Sequence, residues 1–306
     1  MSKNETVKVA IQGIRGANHE IAARAYFNDQ NVEVVPCHTF NEVFDVMQNH
    51  PEVMGIMAIE NTLVGSLLTN YTMLRESGFT VHGEHKLRIK HHLMALPGQT
   101  IEDIREVHSH PMALAQCETF FKDYQHIKLI ESEDTAFSAK KIADEQLKGI
   151  GAIAPSLASR LYNLDVIEKS IETNKHNYTR FLIIGQEDNA KKSELLEQDR
   201  INKSSLVFSL PHEEGSLSKV LTILAFYKIN LTKIQSLPIV GVEWEYLFYI
   251  DVIYNDYQRY LQSLDAIRPL CSKLRILGEY EACTTTQTPN GEETKAERVQ
   301  KALTSI

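Results

Sequence analysis

The chain has 306 residues and a mass of 34.8 kDa, with 43% hydrophobic and 24% charged side chains. These proportions are typical of globular proteins and exclude a largely disordered or fibrous chain. The 32 basic and 40 acidic side chains give a net charge of −8, which argues against nucleic acid as a principal partner.

No apolar run reaches the roughly 18 residues that a membrane-spanning helix needs. The polar start MSKNET leads directly into a strand-like run, so we expect a cytoplasmic protein without a membrane partner. Four widely separated cysteines form no CxxC motif and predict reduced thiols with structural roles. Twelve histidines include no HExxH motif and no cluster with zinc spacing, so no metal site is predicted.

The first part of the chain, residues 1–186, alternates β-branched apolar runs with helical patterns. Strands are predicted in VKVAIQG, VEVVPC and VMGIMAIEN, each followed by a helix, and at 79–85, 90–96, 105–109, 127–131, 150–154 and 178–185. This alternation is typical of mixed or parallel α/β sheets. Its length fits two lobes joined by crossing segments, with a cleft between them.

A second unit is predicted over residues 204–281, after a charged linker at 187–203. Its order of elements is strand, helix, strand, strand, helix, strand, which is the α+β ferredoxin-like outline. Residues 282–306 carry little apolar surface and are predicted to form a loose tail.

Four predicted strand ends carry polar or glycine-containing turns that also open helices: Gly13–Gly16, Glu60–Ser66, Ser109–Pro111 and Asp134–Ala136. Helix N-termini at the carboxyl edge of a sheet offer N–H groups to an anion, so the four turns together predict a pocket for a small acid. Simple helix capping is the alternative for each turn taken alone. The GxGxxG and GxxxxGK[ST] patterns are absent from the sequence, which gives no support to a nucleotide cofactor.

A fifth polar segment stands directly before the strand FLIIG and contains Asn177, Thr179 and Arg180. An arginine can hold a carboxylate by two parallel hydrogen bonds, and a threonine hydroxyl can donate to a leaving oxygen. The alternative is structural, since threonine is an ordinary strand residue and the arginine can pair with a carboxylate of its own lobe.

Taken together and in this order, the motifs resemble those of the prephenate dehydratase family. Ala58–Ser66 is similar to the family's ENS…GS turn, Ser109–Cys117 to its SHPQALAQC helix start, Asp134–Ala136 to its DTA turn, and Asn177–Phe181 to its N-x-TRF signature. The second unit resembles an ACT domain, in which Gly215–Ser218 stands at the GALV position and Asn230 opens NLTKI.

The resemblance implies a two-lobed catalytic region like a class II periplasmic binding protein, followed by a ferredoxin-like ACT domain. It implies that prephenate loses its ring carboxylate as CO2 and its hydroxyl as water to give phenylpyruvate, without a cofactor. In the family, the threonine of TRF is the residue that donates a hydrogen bond to the leaving hydroxyl; in this chain it is Thr179. Arg180 is the expected anchor of the pyruvyl carboxylate. The full predicted substrate-binding set is Asn61, Thr62, Gly65, Ser66, Ser109, His110, Thr135, Asn177, Arg180 and Phe181.

Two further residues, Glu84 and His91, match the family's E…I-x-H pattern and are expected to have structural roles. The chain departs from the family at Gly16–His19, where many members read G-T-F-S, and at Phe137, where a small residue is usual. The family's ESRP motif reads Gln235–Pro238 here, which leaves allosteric control open.

An ACT domain implies feedback inhibition by L-phenylalanine and assembly into a homodimer or homotetramer. The effector is expected to contact Gly215, Ser216, Leu217, Asn230, Leu231 and Gln235. Two other functions stay open on the sequence: an arogenate dehydratase, which performs the same chemistry on the amino analogue, and a non-catalytic sensor of small acids or amino acids.

Overall fold

The computed structural model describes residues 6–27, 32–187 and 200–283. Most of the predicted linker and all of the predicted tail from residue 284 onward lie outside these ranges. The described residues form three sheets, and apolar residues of the strands and of the flanking helices form the buried cores.

The first sheet has the order β2-β1-β3-β11-β5, and a short strand β4 pairs with β3. Strands β1, β2 and β3 run parallel, while β11 is antiparallel to both of its neighbours. We call this sheet and its helices the first lobe. Its strands are β1 (Val7–Gln12), β2 (Val32–Cys37), β3 (Met54–Asn61), β4 (Gly65–Ser66), β5 (Thr80–Arg88) and β11 (Tyr178–Gly185), and its helices are α1 (Asn18–Tyr26), α2 (Phe40–Asn49) and α3 (Leu68–Ser77).

The second sheet has the order β10-β6-β9-β7-β8 and forms what we call the second lobe. Its strands are β6 (His92–Ala95), β7 (Glu106–Ser109), β8 (Lys128–Glu131), β9 (Ile150–Ala154) and β10 (Asp165–Glu168), and its helices are α4 (Pro111–Phe121), α5 (Thr135–Asp144) and α6 (Ser156–Tyr162). The chain crosses between the two lobes after β5 and returns before β11. The strands predicted in this region all form; the short β4 and β10 are additional to the prediction.

The third sheet, in residues 200–283, has the antiparallel order β13-β14-β12-β15. This order and the sequence of elements are those of the predicted ferredoxin-like outline. We call it the C-terminal unit. Its elements are β12 (Lys203–Ser209), α7 (Ser216–Phe226), β13 (Asn230–Pro238), β14 (Tyr246–Ile253), α8 (Tyr257–Ile267) and β15 (Lys273–Tyr280).

The C-terminal unit covers one face of its sheet with α7 and α8 and packs the other face on the first lobe. Val207, Tyr249 and Leu277 belong to the same buried cluster as Met57 and Tyr71 of the first lobe. Gly278 of β15 approaches β5 so closely that a Cβ atom there would lie 2.1 Å from the carbonyl oxygen of Val81. The first lobe therefore contacts the second lobe on one side and the C-terminal unit on the other.

No helix in the described ranges is long and apolar enough to cross a membrane.

Candidate active site

The threonine of the N-x-Thr segment, Thr179, lies on β11, between β3 and β5 of the first-lobe sheet, and contacts Asn61 at the end of β3. The two residues face each other across the β3–β11 ladder. The Asn61 Nδ2 atom donates to Thr179 Oγ1 at 2.9 Å and to Asn177 Oδ1 at 2.8 Å. All three side chains are more than nine-tenths buried, so these hydrogen bonds are protected from competition by water.

The orientation of the Asn61 amide is set by its own turn. Its Oδ1 atom accepts hydrogen bonds from the backbone N–H of Leu63 at 2.9 Å and of Val64 at 3.1 Å. An amide oxygen that accepts both leaves the Nδ2 hydrogens for Asn177 and Thr179. Because Thr179 Oγ1 accepts from Asn61, the hydroxyl hydrogen of Thr179 is directed elsewhere, and no described residue accepts it. The site therefore presents a buried hydroxyl with a proton to donate.

A chain of neutral groups continues from Asn177 into the second lobe. Asn177 Nδ2 donates to Gln116 Oε1 on α4 at 2.7 Å, and His91 Nε2 lies 2.8 Å from the same oxygen. Since Oε1 can only accept, His91 Nε2 carries the hydrogen. Burial lowers the pKa of His91, against the opposing effects of its bond to Gln116 and of the Glu172 carboxylate. His91 is therefore neutral near pH 7, and the network spans both lobes without a net charge.

Other predicted residues surround this network in structural roles. Thr62 Oγ1 accepts from the backbone N–H of Tyr178 at 2.9 Å and donates to the carbonyl of His176 at 2.8 Å, which ties the turn after β3 to the start of β11. Gly65 lies opposite Asn61 in the β3–β4 pair with a φ of 87°. A non-glycine residue would be strained at this φ.

The polar side chains in the turns of the second lobe make hydrogen bonds within the protein. The hydroxyl of Ser109 is fully buried and donates to the carbonyl of Ile153 at 2.7 Å. His110 is the N-cap of α4, and its Nδ1 atom accepts from Met112 N at 3.2 Å. Thr135 opens α5 after Asp134, which caps that helix by accepting from Phe137 N at 3.0 Å. Capping therefore accounts for the contacts of His110 and Asp134, whereas the Ser109 hydroxyl joins the end of β7 to β9.

The first and second lobes touch where the turn after β1 meets α5 and α6. A Cβ atom on Gly13 would lie 3.6 Å from Asp134 Oδ2, and Tyr162 OH donates to the carbonyl of Arg15 at 2.5 Å. Burial raises the pKa of Asp134, although N–H groups at the start of α5 and the neighbouring His110 act in the opposite direction. The turn predicted at Gly13–Gly16 thus closes one end of the contact between the lobes.

The structure corrects the prediction that Arg180 clamps a substrate carboxylate beside Thr179. Successive side chains of a strand point to opposite faces of the sheet. The Arg180 side chain accordingly faces the C-terminal unit, where it binds Glu84, Asp251 and Tyr280 and is only 8% exposed. Its donors are therefore committed to protein groups and are not directed into the region of Thr179.

Two other members of the predicted substrate-binding set are corrected in the same way. Ser66 lies on the face of β4 that the C-terminal unit covers, and its hydroxyl accepts a hydrogen bond from Lys233 Nζ at 2.7 Å. Phe181 is 1% exposed and packs in the first-lobe core, with its ring centroid 5.1 Å from that of His19. Neither side chain is free to contact a ligand in this arrangement.

Sequence reasoning omitted Gln116 and Glu172 from the site. Gln116 stands within the quoted Ser109–Cys117 motif, and its polarity on a helix with an otherwise apolar inner face was a usable signal. Glu172 is 1% exposed and accepts from the backbone N–H of His91 at 2.9 Å, but it lies in an irregular segment with no motif. Within residues 6–27, 32–187 and 200–283, no cluster of three or more metal-ligating side chains occurs.

Comparisons with known proteins agree with the resemblance. The sequence profile of the family described as prephenate dehydratase matches residues 9–189. A protein of Arabidopsis thaliana named arogenate dehydratase/prephenate dehydratase 2, chloroplastic, is 36% identical over an alignment of 295 residues, and the match covers 93% of this chain and 75% of the relative.

Two solved structures share the fold along most of the chain. One is described as a prephenate dehydratase in complex with L-Phe from Arthrobacter aurescens; it has a TM-score of 0.77 and 22% identity, with 98% of this chain and 99% of that chain covered. The other, GqqA, is described as a novel type of quorum quenching acylase; its TM-score is 0.80 at 27% identity, with 90% of this chain and 98% of that chain covered. On the family profile and the long sequence match, the chain belongs to the prephenate dehydratase family and is a lyase of that type.

Proposed function

We propose that the chain converts prephenate to phenylpyruvate, CO2 and water. The observation that carries this proposal is the buried Thr179 hydroxyl, which accepts from Asn61 Nδ2 at 2.9 Å and keeps its own hydrogen for another acceptor. A hydroxyl is a poor leaving group, so a donor held at the developing hydroxide lowers the barrier to its departure.

In the proposed step, the bond between the ring and its carboxylate breaks and CO2 leaves. The electron pair of that bond enters the ring, which becomes aromatic and expels the C4 hydroxyl with its bonding pair. Thr179 donates a hydrogen bond to this oxygen as its negative charge grows, and the hydroxide becomes water on taking up a proton. A threonine hydroxyl does not ionise near neutral pH, so its role is that of a neutral donor.

We further propose that the predicted turns around the network hold the substrate. They contribute Asn61, Thr62, Gly65, Asn177, Ser109, His110 and Thr135. Arg180 is absent from this set because its guanidinium is occupied at the C-terminal unit. A carboxylate that must leave as CO2 is lost more readily when no strong cation stabilises it beforehand.

Arogenate is an equally supported substrate, since the Arabidopsis relative carries both names. Prephenate and arogenate differ in a keto or an amino group on the side chain, away from the bonds that break. The neutral site residues Asn61, Asn177 and Gln116 provide no charged group that selects between the two.

The geometry favours a lyase over an acylase of the GqqA kind. A nucleophilic threonine needs a base within hydrogen-bond reach of its hydroxyl. Among the described residues, the hydrogen-bond partner of Thr179 Oγ1 is the amide of Asn61, and His91 is separated from Thr179 by Gln116 and Asn177. The hydroxyl is therefore placed to donate, and in the described part of the chain no base hydrogen-bonds to it.

We propose that the C-terminal unit is an ACT domain that binds L-phenylalanine. Gly215, with a φ of 75°, is the N-cap of α7, and Asn230 is the first residue of β13. We propose that these two residues contact the effector together with Ser216, Leu217, Leu231 and Gln235. The L-Phe complex of the Arthrobacter protein supports this effector. Unchanged activity and an unchanged melting temperature in millimolar L-phenylalanine would contradict the proposal that L-phenylalanine is the effector.

We also propose that the protein forms a homodimer or homotetramer. Light scattering tests this proposal, and a monomer would contradict it.

The deciding experiment measures phenylpyruvate from prephenate and phenylalanine from arogenate, with wild type, Thr179→Ala and Thr179→Ser. We expect turnover of at least one substrate by wild type, a loss of about 10²–10³ in kcat for the alanine variant, and partial retention by the serine variant. Binding of prephenate or phenylalanine without turnover of either substrate would replace the enzyme with the sensor.

A further inference from the structure

A buried ion cluster lies on the face of β3 and β11 opposite to Thr179 and connects the first lobe with the C-terminal unit. Its centre is Arg180, which donates from Nε to Glu84 at 2.6 Å, from Nη1 to Asp251 at 2.5 Å and from Nη2 to Tyr280 OH at 3.0 Å. Lys203 Nζ donates to both oxygens of Glu84, at 2.7 and 2.9 Å. Arg180 and Glu84 come from the first lobe, whereas Asp251, Tyr280 and Lys203 come from the C-terminal unit.

A second contact reaches the first lobe next to Asn61. Lys233 on β13 donates from Nζ to Ser66 Oγ at 2.7 Å and lies 3.1 Å from Glu60 Oε2. Glu60 and Ser66 are a cross-strand pair of β3 and β4. The Lys233 side chain is 9% exposed and its Nζ also lies 5.3 Å from the ring centroid of Tyr71, a cation–π distance.

The ion cluster around Arg180 and the contact of Lys233 both involve residues next in sequence to Thr179 or Asn61. Thr179 pairs with Asn61, and the next pair along the same ladder joins Arg180 with Glu60. The turn closed by Glu60 and Ser66 supplies the backbone N–H groups of Leu63 and Val64 that orient the Asn61 amide. Asn61 and Thr179 are therefore each adjacent in sequence to a side chain, Glu60 or Arg180, that forms an ion pair with the C-terminal unit.

From this geometry we propose that Arg180 and Lys233 are positioning residues, through which the C-terminal unit fixes the Asn61 turn and so the direction of the Thr179 hydroxyl. The proposal rests on the proposed role of Thr179 as a donor. The C-terminal unit would then act on the site through Glu60, which precedes Asn61 on β3, and through Arg180, which follows Thr179 on β11. A displacement of β13 or β14 relative to the first lobe would alter the Asn61–Thr179 hydrogen bond.

The test replaces Lys233 by methionine, which keeps the length of the side chain and removes its charge and donor. The matched control is Lys273→Met, at an exposed position of β15 outside the cluster. We expect Lys233→Met to lower kcat on the order of tenfold with little change in KM, since the loss of alignment acts on the reaction more than on binding. Lys233→Arg should recover most of the activity, and Lys273→Met should resemble wild type.

A double variant separates positioning from a general loss of structure. If Lys233 acts through Thr179, the Lys233→Met change will have little further effect on kcat in a Thr179→Ala background, because the hydroxyl that it aligns is gone. Equal fold-losses in both backgrounds would contradict the proposal.

A spectroscopic measurement keeps the proposal testable even if neither substrate reacts. The methyl resonance of Thr179 in threonine-labelled protein is assigned by its disappearance in Thr179→Ala. We expect this resonance to shift in Lys233→Met and, by less, in Ser66→Ala, which serves if Lys233→Met does not fold. An unmoved resonance in a folded Lys233→Met or Ser66→Ala variant would overturn the proposal, whereas failure of wild type on both substrates would refute only the proposed function.

Discussion

The two faces of the β3–β11 ladder differ sharply in charge, although the residues that form them alternate along the same strands. The face toward the second lobe carries Thr179 and Asn61, joined to Asn177 by neutral hydrogen bonds. The face toward the C-terminal unit carries Arg180 and Glu60, surrounded by further charged side chains. Strand alternation therefore places the Arg180 cation and the Thr179 hydroxyl, which are neighbours in sequence, on opposite faces of the sheet.

The difference suits the proposed reaction. The neutral network of Asn61 and Asn177 orients the Thr179 hydroxyl without stabilising the substrate carboxylate that must leave. The charged network around Arg180 joins the first lobe to the C-terminal unit through buried, charge-assisted hydrogen bonds. Three cations, Arg180, Lys203 and Lys233, meet three carboxylates, Glu60, Glu84 and Asp251, so the charged face is balanced.

Asp251 and Glu84, two carboxylates of the charged face, have lowered pKa values. Burial acts to raise the pKa of Asp251, but Arg180, Lys203 and the hydrogen bond from Ser205 outweigh it and lower that pKa. The pKa of Glu84 is lowered in the same way, with burial opposed by Arg180 and Lys203. Each group thus depends on its partners, and the loss of one leaves the others buried without compensation.

The largest expected effect is on stability, from Glu84→Gln. This change leaves Arg180 and Lys203 in place without the carboxylate that they share. Removal of one partner from a buried ion pair costs about 3–5 kcal/mol of unfolding free energy. Urea denaturation measures the loss, with the exposed Glu76→Gln as the control. A cost below about 1 kcal/mol, as for surface pairs, would remove the contrast between the two faces.

The next effect is on rate, from Asn177→Ala. The change removes the acceptor of one Asn61 hydrogen and the donor to Gln116, so the amide that directs Thr179 loses its alignment. We expect kcat to fall by about 10²–10³, as for the loss of an oriented donor. The exposed Asn49→Ala is the control. If kcat falls no further than in the control while the melting temperature drops, the neutral face is structural and the comparison fails.

A third prediction concerns a histidine beside the neutral face. Burial lowers the pKa of His19, which packs against Phe40 and Phe181, from 6.5 to about 4. The folded state then binds fewer protons than the unfolded chain between these values, so stability is full above pH 6.5 and falls as the pH drops toward 4. The difference amounts to roughly 3 kcal/mol for this group.

The measurement for His19 compares urea midpoints at pH 7 and pH 5 in His19→Gln and in the exposed control His212→Gln. The His19 variant should lose part of the acid sensitivity that wild type and the control retain. An unchanged dependence on pH in His19→Gln would show that other groups carry it.

The smallest effect is expected at Thr62, which joins the β3 turn to the start of β11 from an exposed position. Thr62→Val loses both hydrogen bonds and should cost about 1 kcal/mol of stability, with a small decrease in kcat. Thr62→Ser keeps the hydroxyl and should match wild type. A decrease in kcat as large as that of Asn177→Ala would show that Thr62 affects the reaction as strongly as the neutral network does, and the ranking of these effects would fail.

Much of this arrangement follows from the sequence, and the part that does not has a physical reason. The β-branched runs predict the longer strands because they are buried along most of their length, as in β3 and β11. The short strands β4 and β10 carry no such run. The N-x-Thr segment predicts Thr179 as the donor, and that role stays a prediction.

The position of Arg180 shows where sequence reasoning ends. Alternation along β11 requires Thr179 and Arg180 to face opposite ways, which the strand pattern alone could have indicated. What covers the far face is a property of the packed units, since Asp251 and Lys203 come from elements more than twenty residues away in sequence. Local patterns carry no information about such docking, so the arginine was assigned to the wrong side. Gln116 was missed for a related reason, because its partners His91 and Asn177 lie on other elements.

The order of strands in the first sheet also bears on how the protein acquires its structure during synthesis. β11 is the last strand of that sheet to leave the ribosome, yet it lies between β3 and β5, and its Thr179 meets Asn61 across 118 residues of sequence. Until residues 178–185 emerge, β3 and β5 have unpaired edges, although all strands of the second lobe have already been synthesised. Such non-local pairing slows folding and exposes strand edges to aggregation. The insertion of β11 between β3 and β5 therefore delays the pairing of Thr179 with Asn61 to the end of first-lobe assembly.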